Sequence, residues 1–155
     1  MNQVNMEMAK ERFPKVIAVC ISEQKGVRKH EVPEIEIRKG KGVVGDAHGD
    51  DPKRRVSLLG DESVDKLRGV FPGLKPGDFA ENILTEGLVL YELPIGTRFM
   101  AGEVEFEVTQ IGKECHHGCE IRRLTGDCVM PREGIFAEVV TEGTIRPGDA
   151  ITVLQ

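Results

Sequence analysis

Short segments in which hydrophobic and polar residues alternate run along most of the chain and are separated by glycine-containing turns. The clearest is Val104–Ile111, where Val104, Phe106 and Val108 share one face of a predicted strand. This strand is predicted to pair with Arg98–Ala101 as a hairpin. Further strands are predicted wherever apolar or alternating residues recur, namely at Lys15–Ser22, Pro33–Arg38, Leu88–Leu93, Gly134–Val140 and Ala150–Leu154.

One segment has the pattern of a helix instead. Gly60–Arg68 places Val64 and Leu67 three residues apart on one face, and Asp61 is predicted to be its N-cap. The apolar residues Val56–Leu59 just before it form either a strand or the entry to this helix. Many short strands with one or two helices predict a mostly β, β-rich α+β fold, either a small barrel or a mixed sheet.

Length and charge limit the class of protein. A chain of 155 residues is about one domain, so we expect residues 1–14 to be a lead-in and 15–155 to form a single domain. The net charge of −5 argues against a nucleic-acid partner. No apolar run approaches the roughly 20 residues needed to cross a bilayer, and the N-terminus lacks the apolar core of a secretory signal. The sequence therefore predicts a cytoplasmic protein with no membrane partner.

The reactive side chains concentrate in one segment, Gly112–Glu133, between two predicted strands. It contains three of the four cysteines together with histidines and arginines: Cys115, Cys119, Cys128, His116, His117, Arg122, Arg123 and Arg132. Neighbouring cations lower the pKa of a thiol from about 8.5 and favour the nucleophilic thiolate. The segment therefore indicates thiol chemistry beside an anionic ligand. Cys20, inside an apolar run, is predicted to be a buried small side chain.

Three interpretations of these cysteines remain open from the residues alone. In the first, Cys115 is a nucleophile or sulfur carrier whose thiolate is favoured by nearby arginine or histidine. In the second, the segment is a structural zinc site within an interaction module. In the third, the cysteines are buried and the arginines are surface charges. The zinc interpretation takes as its ligands Cys115, Cys119, Cys128 and His117.

A polar loop, GVVGDAHGD, supplies a second group of candidate residues. Gly45 allows tight backbone geometry before Asp46, and Asp46 and His48 could position a ligand or a base. Arg54 or Arg55 could bind a phosphate through the planar fork of a guanidinium. The alternative is a solvated loop in which Asp46 makes a turn hydrogen bond.

The order of the motifs resembles a known family. VVGDAHGD, RRVSLLGDES, PGDFAENILTEG, LPIGTRFMAGEVEFEVTQIGKEC and EGIFAEVVTEGTIRPGDAI resemble a MOSC domain, the module found in molybdenum cofactor sulfurases and in small stand-alone bacterial proteins. The resemblance covers roughly Lys15 to Leu154 and is nearest to the short stand-alone type. It implies a distorted β-barrel with a few helices.

The resemblance also implies a function. MOSC domains are thought to handle sulfur through a cysteine, which matches Cys115 here, and to associate with the molybdenum cofactor, an anionic pterin phosphate. The family's glycine-aspartate loop matches Gly45 and Asp46, and either Asp46 or His48 would orient the ligand or relay a proton. The remaining residues expected to bind the cofactor are Arg54, Arg55, Ser57, Asn82, Arg122 and Arg123.

The same resemblance limits the cofactors and partners. The half of the sulfurases that binds pyridoxal phosphate has no counterpart in this chain, so no pyridoxal-phosphate site is expected. The expected partners are a molybdopterin-type small molecule and a sulfur-donor or reductase protein. Some stand-alone relatives are linked with reduction of N-hydroxylated compounds, which gives a further alternative in which this chain works with a separate reductase.

Overall fold

Short strands dominate the computed structural model, which describes residues 14–24, 28–47, 54–112 and 133–154. Within these residues there are eleven strands, one α-helix and a short 3-10 turn at Leu90–Glu92. The elements in chain order are β1 Lys15–Ile21, β2 His30–Val32, β3 Ile35–Arg38, β4 Gly42–Val43, β5 Val56–Gly60, α1 Asp61–Arg68, β6 Ile83–Glu86, β7 Arg98–Ala101, β8 Val104–Ile111, β9 Ile135–Val139, β10 Gly143–Ile145 and β11 Ile151–Val153.

Eight strands form one sheet in the order β11-β7-β8-β9-β5-β6-β1-β2, and β10-β3-β4 form a second. The β5–β6 pair is parallel, because α1 carries the chain from the end of β5 back to the start of β6. The larger sheet curls until its far edge meets β1: Lys15 bridges Ala150, and the Val16 N–H donates to the Asp149 carbonyl at 2.8 Å. The expected distorted β-barrel with few helices is therefore confirmed.

The interior of the barrel follows from alternation along the strands. Val104, Phe106 and Val108 are all buried, and the Phe106 ring stacks on Phe99 of β7 with centroids 5.4 Å apart. Strand β5 is buried along its whole length, because α1 and its neighbours cover the outer face of the sheet. Central strands covered on both faces become continuous apolar runs, which explains the unbroken hydrophobicity that left Val56–Leu59 ambiguous.

Most of the predicted elements are present, and two details were wrong. Leu88–Leu93 is not a strand, since its middle forms the 3-10 turn before Pro94. Asp61 is the first helical residue rather than the N-cap, which is Gly60, the last residue of β5. Within the described part of the chain, no helix has the length and apolar character to span a membrane.

Candidate functional site

A row of polar side chains crosses the outer face of the barrel at Ser57, where β5 lies between β6 and β9. Asn82, just before β6, accepts hydrogen bonds through Oδ1 from the Ser57 N–H and Oγ, both at 3.1 Å. Its Nδ2 donates to the Cys20 carbonyl at 3.1 Å. On the other side of Ser57, its register partner on β9 is Phe136, and the register partner of Phe136 on β8 is Gln110. The buried Asn82 amide therefore joins β1, β5 and β6 at the edge of this row.

Arg54 lies over this row, immediately before β5. Its guanidinium carbon is 5.7 Å from the centroid of the Phe136 ring, and its Nε donates to Gln110 Oε1 at 3.4 Å. Gln110 is itself fixed, because its Nε2 donates to the Gly112 carbonyl at 2.8 Å. Within the described residues, no carboxylate pairs with Arg54. Arg54 is thus a partly buried, positioned cation whose terminal amino groups are available to an anion.

Arg55 has a different environment. Its Nε lies 2.8 Å from Glu138 Oε1 on β9, and its side chain is largely buried. An arginine already paired with a carboxylate offers less of its charge to a ligand, because the two charges neutralise each other. The sequence treats the two arginines as equivalent candidates, but their surroundings favour Arg54 as the anion-binding group.

The glycine-aspartate turn is held from inside the protein. Gly45 has a φ of +87°, as expected for tight backbone geometry. Asp46 Oδ1 accepts hydrogen bonds from Lys29 Nζ and the Ser22 N–H, each at 2.8 Å. The Lys29 and Asp46 side chains are 1% and 0% exposed, so this is a buried ion pair. Asp46 therefore anchors the turn that leads to His48, and its ligand-orienting role stays a prediction.

The segment with the reactive cysteines begins and ends beside the Arg54 row. Its first residue, Gly112, donates its N–H to the Gly134 carbonyl at 2.6 Å, which closes the two strands β8 and β9 around it. At the other end, Glu133 accepts from Lys66 Nζ of α1 through both carboxylate oxygens at 2.8 Å. The predicted site residues that lie outside the described residues are His48, Cys115, Cys119, Cys128, His117, Arg122 and Arg123.

Among the described residues no cluster of three or more His, Cys, Asp or Glu side chains could hold a metal ion. The ligands expected for zinc all lie outside that part of the chain, so the zinc alternative stays a prediction. Cys20 is fully buried, as predicted, and burial raises the pKa of its thiol well above the ordinary value. Cys20 is therefore an inert core thiol rather than a competitor for sulfur chemistry.

Three important residues were not predicted from sequence. Gln110 and Phe136 are ordinary strand residues whose importance comes only from the pairing of β8, β9 and β5. Alternation gave one usable signal, since it places the polar Gln110 on the apolar face of Val104, Phe106 and Val108, at the point where β8 shifts register against β9. Lys29 gave none, because a lysine beside a turn is normally a solvated charge.

Comparison with known proteins places this arrangement in a family. The model of the MOSC domain matches residues 44–152, which is more than half of the chain. The YUAD protein from Bacillus subtilis is similar in structure, with a TM-score of 0.74 and 17% identity over 90% of this chain and 94% of that one. YiiM from Geobacillus stearothermophilus gives a TM-score of 0.72 and 16% identity over 92% and 75%.

YiiM from Escherichia coli is a more distant likeness, with a TM-score of 0.64 and 18% identity over 91% of this chain and 70% of that one. At these identities the structures show a shared fold. A search among curated proteins gives no match. The family-model match covers the glycine-aspartate turn, Arg54, Ser57, Asn82 and the cysteine segment, and on that match the chain belongs to the MOSC domain family.

Proposed function

We propose that this protein binds a molybdopterin-type ligand through its phosphate at Arg54 and handles sulfur at Cys115. The observation that carries the proposal is Arg54 itself, a cation fixed by Gln110 and Phe136 with no carboxylate partner among the described residues. Because Nε is engaged by Gln110, the two terminal amino groups form the fork that a phosphate accepts. Such charge-assisted hydrogen bonds are stronger than neutral ones, particularly at a partly buried site.

The place of Cys115 in the sequence, three residues after Gly112, suits this role. Gly112 is fixed by the Gln110 side chain that also holds Arg54, and three residues of extended chain span at most about 11 Å. A ligand with its phosphate on Arg54 therefore has its other end within reach of a thiol at Cys115. The glycine-aspartate turn at Gly45 and Asp46, with His48 next along the chain, supplies the remaining wall or a proton relay.

The residues present fit the phosphate of a pterin that bears a dithiolene, because Arg54 is a positioned cation with no carboxylate partner among the described residues. When bound, that group supplies a metal centre with sulfur ligands. Arg122 and Arg123 are assigned to hold it, and Ser57 and Asn82, which are buried and bonded to each other, are assigned to orient it by fixing the start of β5. The thiolate of Cys115 attacks the outer sulfur of a persulfide on a donor protein, so an S–S bond forms on Cys115 while the donor leaves as a thiolate. The protein works in the cytoplasm, where its thiols stay reduced.

The anion site is tested by Arg54→Gln. We expect the affinity for a fluorescent pterin phosphate to fall about 10- to 100-fold, since a charge-assisted hydrogen bond contributes about 1.5–3 kcal/mol. Fluorescence titration measures it. Arg55→Gln is the matched control and should change affinity less than about 3-fold, because Arg55 is committed to Glu138. A pterin without phosphate should bind wild type and Arg54→Gln equally. Equal losses in the two variants would contradict the assignment.

The sulfur role is tested by Cys115→Ser. After incubation with a persulfide donor, intact-mass spectrometry should show one added sulfur on wild type and none on Cys115→Ser. Cys119→Ser and Cys128→Ser are the matched controls and should keep the added sulfur. If the sulfur is retained in Cys115→Ser and lost in one of the controls, the carrier is another thiol. Zinc bound by purified wild type and lost in all three variants would support the structural-zinc alternative instead.

A further inference from the structure

Two acidic side chains are buried together in the loop between α1 and β6, just before Asn82. Asp78 and Glu81 are both buried. Glu81 accepts the Gly77 N–H through Oε2 at 2.9 Å and the Phe79 N–H through Oε1 at 3.1 Å. Asp78 Oδ2 accepts the Lys75 N–H at 2.9 Å. The loop is thus folded around its own carboxyl groups, and its backbone donors are used to hold them.

One carboxyl oxygen is left over. Asp78 Oδ1 is buried and has no hydrogen-bond partner among the described residues. A buried carboxylate oxygen without a donor is costly, because the water that it loses on folding is not replaced. The hydroxyl of a protonated neighbouring carboxyl would supply the donor that this oxygen lacks. Glu81 is the acidic neighbour within the same loop.

Burial raises the pKa of Glu81 to about 7, and the nearby charge of Asp78 adds to this increase. The hydrogen bonds from the Gly77 and Phe79 N–H groups act in the opposite direction and lower the pKa. Two buried carboxylates that feel each other's charge do not both ionise readily at neutral pH. A single added proton would supply the donor that Asp78 Oδ1 lacks and would also remove one of the two buried negative charges.

We propose that Asp78 and Glu81 form a coupled carboxyl pair that holds one proton near neutral pH, and that losing this proton loosens the loop 75–82. The proton lies between the Glu81 carboxyl and Asp78 Oδ1, so the orphan oxygen gains a donor and the loop carries one buried negative charge instead of two. The site is a proton-binding site, and neither carboxyl group is bonded to Arg54.

The charged groups packed around the pair do not remove the need for the proton. Cys20 on β1 lies close enough that the charge of Glu81 contributes to raising its pKa. Glu31 on β2 raises the pKa of Cys20 as well, so the charge that β2 contributes near the pair is also negative. Lys29 is the neighbouring cation, and its amine is bonded to Asp46 at 2.8 Å. The positive charge of Lys29 is thus shared with another carboxylate.

The loop is also held under backbone constraint, which makes opening a natural response. Ala80 has a φ of +62°, a conformation that residues other than glycine rarely adopt. Gly77 has a φ of +90°, and any Cβ there would clash with the Lys29 carbonyl oxygen. Such strained residues persist only while the surrounding contacts hold them. The Gly77 N–H donates to Glu81, and the Gly77 carbonyl accepts from the Lys29 and Ala80 N–H groups at 2.9 Å. Ala80 is therefore held by Gly77 and by the Ser57 hydroxyl, which donates to its carbonyl at 3.3 Å, and Glu81 acts on Ala80 through Gly77.

The sign of the pH effect follows from linkage. A carboxyl whose pKa is higher in the closed loop than in the open one favours closure at low pH, and that preference is lost as pH rises from about 4.5 to about 7. The shift between these values corresponds to an increase of at most about 300-fold in the opening equilibrium above pH 7. Hydrogen exchange of the Gly77 and Phe79 amides, corrected for intrinsic exchange, should show the increase.

Infrared spectroscopy of the full chain tests the pair directly through the C=O stretch of a protonated carboxyl. Wild type should keep one such band at about pH 6, where exposed carboxyls are ionised, and lose it around pH 7. Glu81→Gln should remove the band, and Asp78→Asn should lower its midpoint, because the like charge is gone. Glu31→Gln, an exposed carboxyl on β2, is the matched control and should leave the band unchanged.

Each outcome decides the proposal. A wild-type spectrum with no protonated carboxyl band above about pH 6 overturns it. An unchanged midpoint in Asp78→Asn also overturns it, because the two groups would then titrate independently. If Glu81→Gln does not fold, wild type and Asp78→Asn still distinguish a coupled pair from an isolated acid. None of these results depends on whether Arg54 binds a phosphate.

Discussion

Replacing Lys29 with methionine should lower the free energy of unfolding by about 3–5 kcal/mol. The substitution keeps a long apolar side chain but removes the amine that pairs with Asp46 at 2.8 Å. The Asp46 side chain is fully buried, so the substitution removes a charge-assisted hydrogen bond from a carboxylate in the interior. Urea denaturation followed by circular dichroism measures the loss, and a midpoint shift at unchanged slope would show that stability alone has changed.

Two comparisons make this expectation specific to burial. Arg146→Met removes a pair with Glu34 in which both side chains are more than half exposed, and it should cost less than about 1 kcal/mol. The double variant Lys29→Met with Asp46→Leu should recover part of the loss, because it removes the buried carboxylate but leaves the Ser22 N–H without its acceptor. A cost for Lys29→Met as small as that of Arg146→Met would show that Asp46 is solvated or neutral.

The result bears on the predicted role of Asp46. A carboxylate that anchors the turn at Gly45 affects a ligand by positioning the residues after it, including His48. Asp46→Asn should then reduce stability together with any loss of ligand binding. A residue that only touched the ligand would reduce binding and leave the free energy of unfolding unchanged.

The strands of this protein were predictable because their signal is local. Alternation in Val104–Ile111 and a glycine turn before it are enough to predict the β7–β8 hairpin. The exception, Leu88–Leu93, is a short apolar run without clear alternation, and such runs do not distinguish strand from turn. Asp61 was misplaced because α1 starts directly at the end of β5, where Gly60 serves as both strand residue and cap.

The site was only partly predictable, because which side chains remain available to a ligand depends on partners that are distant in sequence. Arg54 and Arg55 are adjacent, but Arg54 is 56 residues from Gln110 and Arg55 is 83 residues from Glu138. Nothing local distinguishes an arginine that will be neutralised from one that stays available. The buried partner of Asp46 was equally hidden, since Lys29 lies 17 residues before it, between β1 and β2.

Replacing Asn82 with alanine should lower the free energy of unfolding by about 2–5 kcal/mol. The amide accepts the Ser57 N–H and donates to the Cys20 carbonyl, and both backbone groups are buried. Removing it leaves a donor on β5 and an acceptor on β1 unpaired, at about 1–3 kcal/mol for each. Asn82→Asp should also destabilise the protein, because it restores the acceptor but faces the Cys20 carbonyl with a carboxylate.

Thr85→Val is the matched comparison, three residues further along. Thr85 is fully buried on β6, and its Oγ1 has no hydrogen-bond partner among the described residues. Replacing an unsatisfied hydroxyl with a methyl group should therefore stabilise the protein by up to about 1–2 kcal/mol. Urea denaturation of the two variants should give shifts of opposite sign. Destabilisation by Thr85→Val comparable to that of Asn82→Ala would mean that the Thr85 hydroxyl has a hydrogen-bond partner. The two positions would then not differ in whether their buried polar groups are hydrogen-bonded.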